Sequence, residues 1–250
     1  MHLPDWRQAH NYSYTKSLNV EQWAWEFLRR NKGYQQDWQW FWTTWQSLEA
    51  RYGKPPERDF QRWKRDPDAY RIVDEASGEC RIDQDKVLIE CWMGAKWGFY
   101  KFPLDPATQQ PLIGEQLTWR EVEESAQLVE DASCVYLDGQ AGHVALGFEL
   151  ELPLRGQLEL AKRFLQARQA RLRREGKITM RLVSNHKDRW CVMLRLLDGL
   201  EAGDDLESVC RVLGDQPGGL ADGDNSAAIL LNEAGKLVNG GYRELLRIPA

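Results

Sequence analysis

Two segments near the amino terminus repeat apolar residues every three or four positions, the spacing of amphipathic helices. The first is predicted to begin at the capping-box pair Asn19 and Gln22 and to end at Gly33. The second is predicted over residues 36–52 and is followed by Gly53. Its apolar stripe consists of Trp38, Phe41, Trp42, Trp45, Leu48 and Tyr52. We therefore expect a Trp-rich helical hairpin that needs further chain to cover its aromatic side chains.

Two further tryptophans, Trp25 and Trp40, lie off these apolar stripes. One interpretation is an exposed surface that stacks on or binds a partner. The other is packing against the rest of the chain, which buries large aromatic area. The sequence leaves both interpretations open.

Residues 57–152 mix strand and helix patterns, so the middle of the chain is predicted to combine both. Short strands are predicted over residues 87–89 and 98–102. The four residues that begin at Thr118 form a capping box, which predicts an acidic helix to about residue 129.

The clearest strand pattern in the chain covers residues 143–152. Its alternating apolar positions are Val144, Leu146, Phe148, Leu150 and Leu152. Asp138 and Gly139 mark a turn before it, so we expect a hairpin with residues 134–137.

A long basic amphipathic helix is predicted over residues 154–175, just after Pro153. Its apolar face consists of Leu154, Leu158, Ala161, Leu165 and Leu172. Basic residues occupy the other side: Arg155, Lys162, Arg163, Arg171, Arg173 and Arg174. Leu and Ala favour packing inside a protein over anchoring in a membrane surface, where Trp or Phe is usual.

Helical patterns continue to the end of the chain. Helices are predicted over residues 187–200, 204–213 and 226–238, with a turn over residues 214–224. This order of helix, short helix, turn and helix is typical of a helix-turn-helix module, although the turn is longer than usual.

These patterns predict an α+β fold built from three segments. We expect a Trp-rich helical domain over residues 1–56 and an acidic mixed α/β region over residues 57–152. A helical domain of helix-turn-helix type is expected over residues 153–250.

The net charge of −5 hides an uneven distribution. Residues 57–152 carry 10 basic and 20 acidic side chains, a net charge of −10. Residues 155–189 carry 11 basic and 3 acidic side chains, a net charge of +8. This basic band is suited either to phosphate groups of DNA or to pairing with the acidic middle region, and both interpretations stay open.

Other chemistry finds little support in the sequence. The 5 cysteines and 4 histidines are scattered, so no metal ion or other cofactor is expected, and the thiols are expected to be free or buried. Ser184, His186 and Asp188 lie close together, but no nucleophile elbow accompanies them. We interpret Ser184 and Asp188 as helix-start residues. Because no phosphate-binding loop is present either, we expect no enzyme.

The hydropathy pattern predicts no membrane span, since no run approaches the roughly 18–20 uncharged apolar residues that a membrane helix needs. The first residues lack the apolar core of a signal peptide. We therefore expect a cytoplasmic protein.

Two groups of residues carry a resemblance to known families. The first group is Tyr12-Ser13-Tyr14, Trp23-Ala24-Trp25-Glu26-Phe27-Leu28-Arg29-Arg30-Asn31 and Tyr34. It resembles the proteobacterial transcriptional-regulator-like N-terminal domain. The second group is Pro153-Leu154, Gln157-Leu158, His186-Lys187-Asp188-Arg189-Trp190, Leu194-Arg195-Leu196-Leu197-Asp198 and Gly241-Tyr242-Arg243-Glu244-Leu245-Leu246. It resembles the C-terminal domain of regulators and antiactivators of integrative and conjugative elements.

The resemblance implies a bacterial regulator of transcription that controls excision or transfer of a mobile element, without catalysis. Double-stranded DNA is the expected partner, and the alternative is an antiactivator or adaptor that acts through a regulatory protein partner. The candidate phosphate contacts are Arg163, Arg171, Arg173, Arg174, Lys177, Arg181, Lys187 and Arg189. The candidate contacts in the last helix and just after it are Asn225, Ser226, Asn232, Lys236 and Arg243. Asp222, Asp224 and Glu233 of the same region are expected to repel phosphate.

Overall fold

The computed structural model describes residues 4–73, 81–100, 102–121, 144–178, 186–214 and 224–248. The α-helices of these residues are α1 (Val20–Leu28), α2 (Lys32–Tyr52), α3 (Phe60–Trp63), α4 (Ile89–Trp97), α5 (Leu154–Arg174), α6 (Lys187–Glu201), α7 (Leu206–Gly214), α8 (Asp224–Lys236) and α9 (Tyr242–Leu245). Among the same described residues, the 3-10 helix Ala9–Ser17 precedes α1 and the 3-10 helix Pro67–Ala69 follows α3. A short π-helix, Leu237–Gly241, joins α8 to α9.

A small antiparallel sheet lies in the middle of the chain. Its strands are β1 (Tyr70–Ile72), β2 (Arg81–Asp83) and β3 (Lys86–Leu88), in the order β1-β3-β2. With helices on both sides of this sheet in the sequence, the predicted α+β class is confirmed. The strand predicted over residues 87–89 corresponds to β3, although Ile89 already begins α4.

The amino-terminal helices form because their first turns are capped by side chains. Asn19 Oδ1 accepts a hydrogen bond from the Gln22 N–H at 2.9 Å, and Gln22 Oε1 accepts one from the Asn19 N–H at 3.1 Å. This confirms the predicted capping box. The predicted stop at Gly33 is wrong, because α1 ends at Leu28 and Asn31 caps α2 two residues before Gly33.

Aromatic side chains of α1 and α2 form much of the core. Trp25 is fully buried and its indole N–H donates to the Thr108 carbonyl at 3.0 Å. Trp40 packs edge-on against Trp92 of α4, with ring centroids 5.7 Å apart. The packing interpretation is therefore confirmed for both off-stripe tryptophans.

The chain divides into two compact units. One unit combines residues 1–122 with residues 183–250, so the first and last helices share a core. In that core Trp23 of α1 lies 5.3 Å from Trp190 of α6 between ring centroids. The other unit, residues 123–182, contains α5. The division into residues 1–56, 57–152 and 153–250 stays a prediction.

Two predicted middle elements are wrong where the structure describes them. Residues 98–102 are not a full strand, because Gly98 ends α4 in a left-handed conformation with φ of 93°. Only Phe99 forms an isolated bridge there, opposite Trp119. Residues 118–121 are not helical, so the helix predicted to begin there does not start at Thr118. The rest of that prediction, residues 122–129, lies outside the described residues.

The predicted strand over residues 143–152 is also wrong in its described part, 144–152. These residues form no strand, and both their apolar and their other side chains are exposed. Gln157 of α5 accepts a hydrogen bond from the Glu149 N–H at 2.8 Å and donates to the Glu149 carbonyl at 2.9 Å. The proposed pairing residues 134–137 lie outside the described residues.

The carboxyl-terminal helices agree with the sequence pattern. The helices predicted over residues 154–175, 187–200, 204–213 and 226–238 correspond to α5, α6, α7 and α8. Of the long turn between α7 and α8, residues 215–223 lie outside the described residues. The helix-turn-helix assignment therefore stays a prediction.

Candidate nucleic-acid interface

The last helices, α8 and α9, and the π-helix between them expose polar side chains on one side. Their other side is buried and consists of Ala227, Ala234, Val238, Tyr242 and Leu245. On the exposed side lie Asn232, Lys236, Asn239 and Arg243, spaced by three or four residues. Asn232, Lys236 and Arg243 are three of the residues expected to contact DNA. Asn225 and Ser226 lie in the first turn of α8, and the structure describes only their backbone.

Arg243 reaches from α9 to the end of α4. Its Nη2 donates to the Lys96 carbonyl at 2.6 Å, while the side chain as a whole stays exposed. An arginine has five N–H donors, so this hydrogen bond leaves other donors for a ligand.

Glu233 does not present an uncompensated negative charge on α8. Arg189 of α6 donates to its Oε2 from Nε at 3.1 Å and from Nη2 at 2.6 Å. The repulsion of phosphate that the sequence suggests for Glu233 is therefore reduced. Arg189 in turn links α6 to α8 instead of lying apart as a phosphate contact.

The start of α6 carries the next expected contact, Lys187. Its ammonium group donates to the Lys16 carbonyl at 2.9 Å, so it links α6 to the first 3-10 helix. The neighbouring His186 ring stacks on Trp190 at 5.3 Å with an interplanar angle of 20°. Asp188 lies in the first turn of α6, as expected of a helix-start residue, and Ser184 lies outside the described residues.

Helix α5 carries most of the expected phosphate contacts in the second unit. Arg163, Arg171, Arg173, Arg174 and Lys177 are all exposed. Glu175 pairs with Lys177 at 2.9 Å and with Arg171 at 3.5 Å. The hydrogen bond from Lys177 is the main cause that lowers the pKa of the Glu175 carboxyl. Arg181 lies outside the described residues.

The apolar face of α5 is only partly covered. Leu172 is buried, whereas Leu154, Leu158 and Leu165 are exposed by 46%, 55% and 43%. The expectation that this face packs is thus confirmed near the end of the helix and not near its start.

A buried ionic network joins the amino-terminal segment to α6, and the sequence alone did not predict it. Arg30, between α1 and α2, makes a bidentate pair with Asp198 of α6, at 2.6 Å and 2.8 Å. The Tyr12 hydroxyl donates to the same carboxylate at 2.6 Å, and burial together with the Asp198 charge raises the pKa of Tyr12 far above its usual value. The signal in the sequence was the presence of charged residues, Glu26, Arg29 and Arg30, beside the apolar residues Trp25, Phe27 and Leu28.

Three further properties of the described residues limit the chemistry. No group of three or more potential metal ligands occurs among them. None of their helices is both long and apolar enough to cross a membrane. Contrary to the expectation for the thiols, Cys91 is disulfide-bonded, whereas Cys191 is free.

Comparison with known protein families gives two matches. Residues 5–63 match the model described as a proteobacterial transcriptional regulator-like domain. Residues 150–247 match the model described as "T6SS, Transcription factor, DNA binding domain". The chain thus resembles a regulator-like domain in its first part and a DNA-binding domain in its last part. No curated protein and no solved structure matches the chain.

These matches agree with the resemblance at the amino terminus and refine it at the carboxyl terminus. The regulator-like match covers α1, α2 and α3, and the DNA-binding match runs from α5 to α9. Both descriptions concern regulation of transcription or DNA binding, and neither names a catalytic activity. Neither match concerns integrative and conjugative elements.

Proposed function

We propose that this protein is a DNA-binding transcriptional regulator, without catalytic activity, that contacts duplex DNA through its carboxyl-terminal part. The observation that carries the proposal is the match of residues 150–247 to a DNA-binding domain of a transcription factor. Every residue expected from the sequence to contact DNA, from Arg163 to Arg243, lies inside this range.

The two surfaces suit different parts of DNA. The exposed arginines of α5 can neutralise phosphates, which contributes affinity but no sequence preference. The stripe formed by Asn232, Lys236 and Arg243 carries the side chains that recognise bases in the major groove. An asparagine amide pairs with adenine, and arginine or lysine pairs with guanine. The Arg189–Glu233 pair supports this role, because it removes a bare carboxylate from beside the stripe.

The proposal is tested by a salt titration of the full chain with a mixed-sequence duplex, followed by fluorescence anisotropy. We expect log affinity to fall linearly with log salt, by about 0.9 for each phosphate contacted. The combined variant R171E, R173E and R174E should bind at least about tenfold more weakly with a shallower slope.

The matched control reverses the charge of exposed basic residues far from this surface in the sequence. Arg62 and Lys54 have side chains that are each 78% exposed, and the double variant R62E and K54E should bind as the unchanged protein does. Absence of binding at low salt would reject the proposal. Equal affinity of the α5 variant and this control would reject α5 as the phosphate-binding surface.

A regulator that acts through protein contacts is the alternative function. It is favoured by the exposed leucines of α5 and by Trp42 of α2, which is 40% exposed and stacks on Trp38 at 5.8 Å. This alternative predicts no DNA affinity at low salt, together with capture of a transcription factor from the host that Trp42→Ala and Leu158→Ala weaken.

We further propose that the regulated genes belong to an integrative and conjugative element and that the protein acts in the bacterial cytoplasm. The support is the residue resemblance that begins at Pro153 and ends at Leu246. Deletion of the gene should change the excision frequency of such an element in the host. An unchanged frequency and unchanged element transcripts would remove this part of the proposal and leave DNA binding untouched.

A further inference from the structure

The stripe on α8 and α9 is interrupted by a joint. Between the two helices, residues Leu237–Gly241 form a π-helix in which Asn239 has φ −92° and ψ 34° and Gly240 has φ 122°. Such a joint changes the direction of the chain and leaves carbonyl groups without their usual helical partners. The direction of α9, and with it the place of Arg243 relative to Lys236, therefore depends on what holds the joint.

Asn31 of the regulator-like segment holds it. Its Nδ2 donates to the Val238 carbonyl at 2.9 Å and to Asn239 Oδ1 at 3.3 Å. Its Oδ1 accepts from the Tyr34 N–H at 3.0 Å, which caps α2. Asn31 is 8% exposed, so water does not readily replace these hydrogen bonds. One side chain thus caps α2 and satisfies a carbonyl of the joint.

The surroundings of the joint allow little adjustment. A Cβ atom at Gly241 would lie 2.8 Å from the Lys236 carbonyl oxygen, closer than packing permits. The Tyr242 hydroxyl donates to the Trp97 carbonyl at 2.9 Å, and its ring lies 5.7 Å from that of Trp119. The joint is therefore fixed from two sides, by Asn31 and by Tyr242.

We propose that Asn31 is a positioning residue for DNA recognition. It sets the direction of α9 relative to α8, so that Lys236 and Arg243 meet the same duplex in register. This inference rests on the proposed function, because it assigns to the regulator-like segment a part in the sequence preference of the DNA-binding segment. Asn31 itself does not touch DNA in this scheme.

The decisive variant is Asn31→Ser. Serine keeps an oxygen that can cap α2 but lacks the amide N–H₂ that reaches the joint. Asn19→Ser is the matched control, because Asn19 also caps a helix through its side-chain oxygen, at the start of α1. Thermal unfolding of both variants shows that each is folded before DNA is added.

The DNA probes are the duplex that the unchanged full chain enriches from a random-sequence pool and a shuffled duplex of the same composition. Asn31→Ser should weaken binding to the enriched duplex about tenfold, the size of one lost base contact, and leave the salt slope unchanged. Affinity for the shuffled duplex should change less than about twofold, since phosphate contacts dominate there. Asn19→Ser should behave as the unchanged protein on both.

A double-mutant cycle tests positioning directly. Arg243→Ala should weaken binding to the enriched duplex about tenfold in the unchanged protein and less than about twofold in the Asn31→Ser background. A full Arg243→Ala effect in that background would overturn the inference. So would equal losses for Asn31→Ser and Asn19→Ser.

Failure of the proposed function gives a different result. If the unchanged protein enriches no sequence, its proposed base contacts are rejected, and hydrogen exchange of the amides of residues 238–246 then decides the role of Asn31. Faster exchange in Asn31→Ser than in Asn19→Ser supports control of the joint by Asn31. Equal exchange in the two variants rejects it.

Discussion

The carboxyl group of Glu26 is buried between two guanidinium groups. Its Oε2 lies 3.0 Å from Arg29 Nε and 2.7 Å from Arg30 Nη1, and it also accepts from the Tyr14 hydroxyl at 3.0 Å. Burial by itself would raise the pKa of Glu26, but the charges of Arg30 and Arg29 outweigh it and hold the pKa below its ordinary value. Ionised Glu26 therefore stabilises the folded state.

Acid should remove this contribution. A carboxyl whose pKa is lowered on folding stabilises the protein above its ordinary pKa of 4.5, and the contribution is lost as the pH falls through the lower folded value. Glu26→Gln should cost about 3–5 kcal/mol at neutral pH, because it leaves buried guanidinium charge uncompensated. The cost should shrink below pH 4.5.

Urea unfolding at neutral and acid pH measures this difference. Glu207→Gln is the control, since the Glu207 side chain is 82% exposed, and it should change the free energy of unfolding little at either pH. A Glu26→Gln cost that stays constant with pH would contradict the assignment of the shift to this carboxyl.

At the level of elements, α6 is the helix on which the larger unit is assembled. Its Trp190 packs on α1, its Asp198 binds Arg30, and its Arg189 binds α8. Gly199, near its end, lets two neighbours approach closely. A Cβ atom there would lie 2.8 Å from Cγ2 of Val209 in α7 and 3.1 Å from the Trp6 ring.

Two glycine-to-alanine variants in helices should therefore change the free energy of unfolding in opposite directions. Gly199→Ala should lower the free energy of unfolding by about 1–3 kcal/mol, because α7 and Trp6 must move. Gly235→Ala in α8 should raise it by about 0.5–1 kcal/mol, since a Cβ atom meets nothing within 4 Å there and alanine favours helix. Circular dichroism during urea unfolding compares them. Equal effects would contradict the packing at Gly199.

At the level of the whole molecule, segments far apart in sequence form one unit. Arg30 and Asp198 are 168 residues apart, and Asn31 and Val238 are 207 apart. The segment that matches a regulator-like domain and the later helices of the DNA-binding match therefore share a core. A mutation in either part should change the stability of both.

Two ion pairs join α6 to the junction of α1 and α2: Asp198 with Arg30, and Glu201 with Lys32. They should contribute differently to the free energy of unfolding. Asp198→Asn should lower the free energy of unfolding by about 3–5 kcal/mol, because Arg30 stays buried without a counter-charge. Glu201→Gln, which breaks the exposed pair with Lys32, should cost less than about 1 kcal/mol. Tryptophan fluorescence reports this unit specifically, since all 12 tryptophans lie in residues 1–122 or 183–250. Similar costs for both variants would argue against the buried pair.

Helices were predictable from the sequence because their determinants are local. The capping box at Asn19 and the 3–4 spacing of apolar residues in α2, α5 and α6 depend on neighbours within one or two turns. The strand predicted over residues 143–152 was wrong in its described part, 144–152, because a strand is not determined locally. A strand needs a partner elsewhere in the chain, and here the Gln157 side chain binds the backbone of Glu149.

The sequence alone determined the helical segments, the uneven distribution of charge and the positions of the candidate DNA contacts. Only the tertiary structure decided which charged side chains are exposed and which are paired or buried within the protein. Arg189 pairs with Glu233 across 44 positions, and Arg30 is buried against Asp198. The structure also revealed that Asn31 reaches the joint between α8 and α9. Charge is a property of each residue, whereas pairing and burial depend on the path that brings distant residues together.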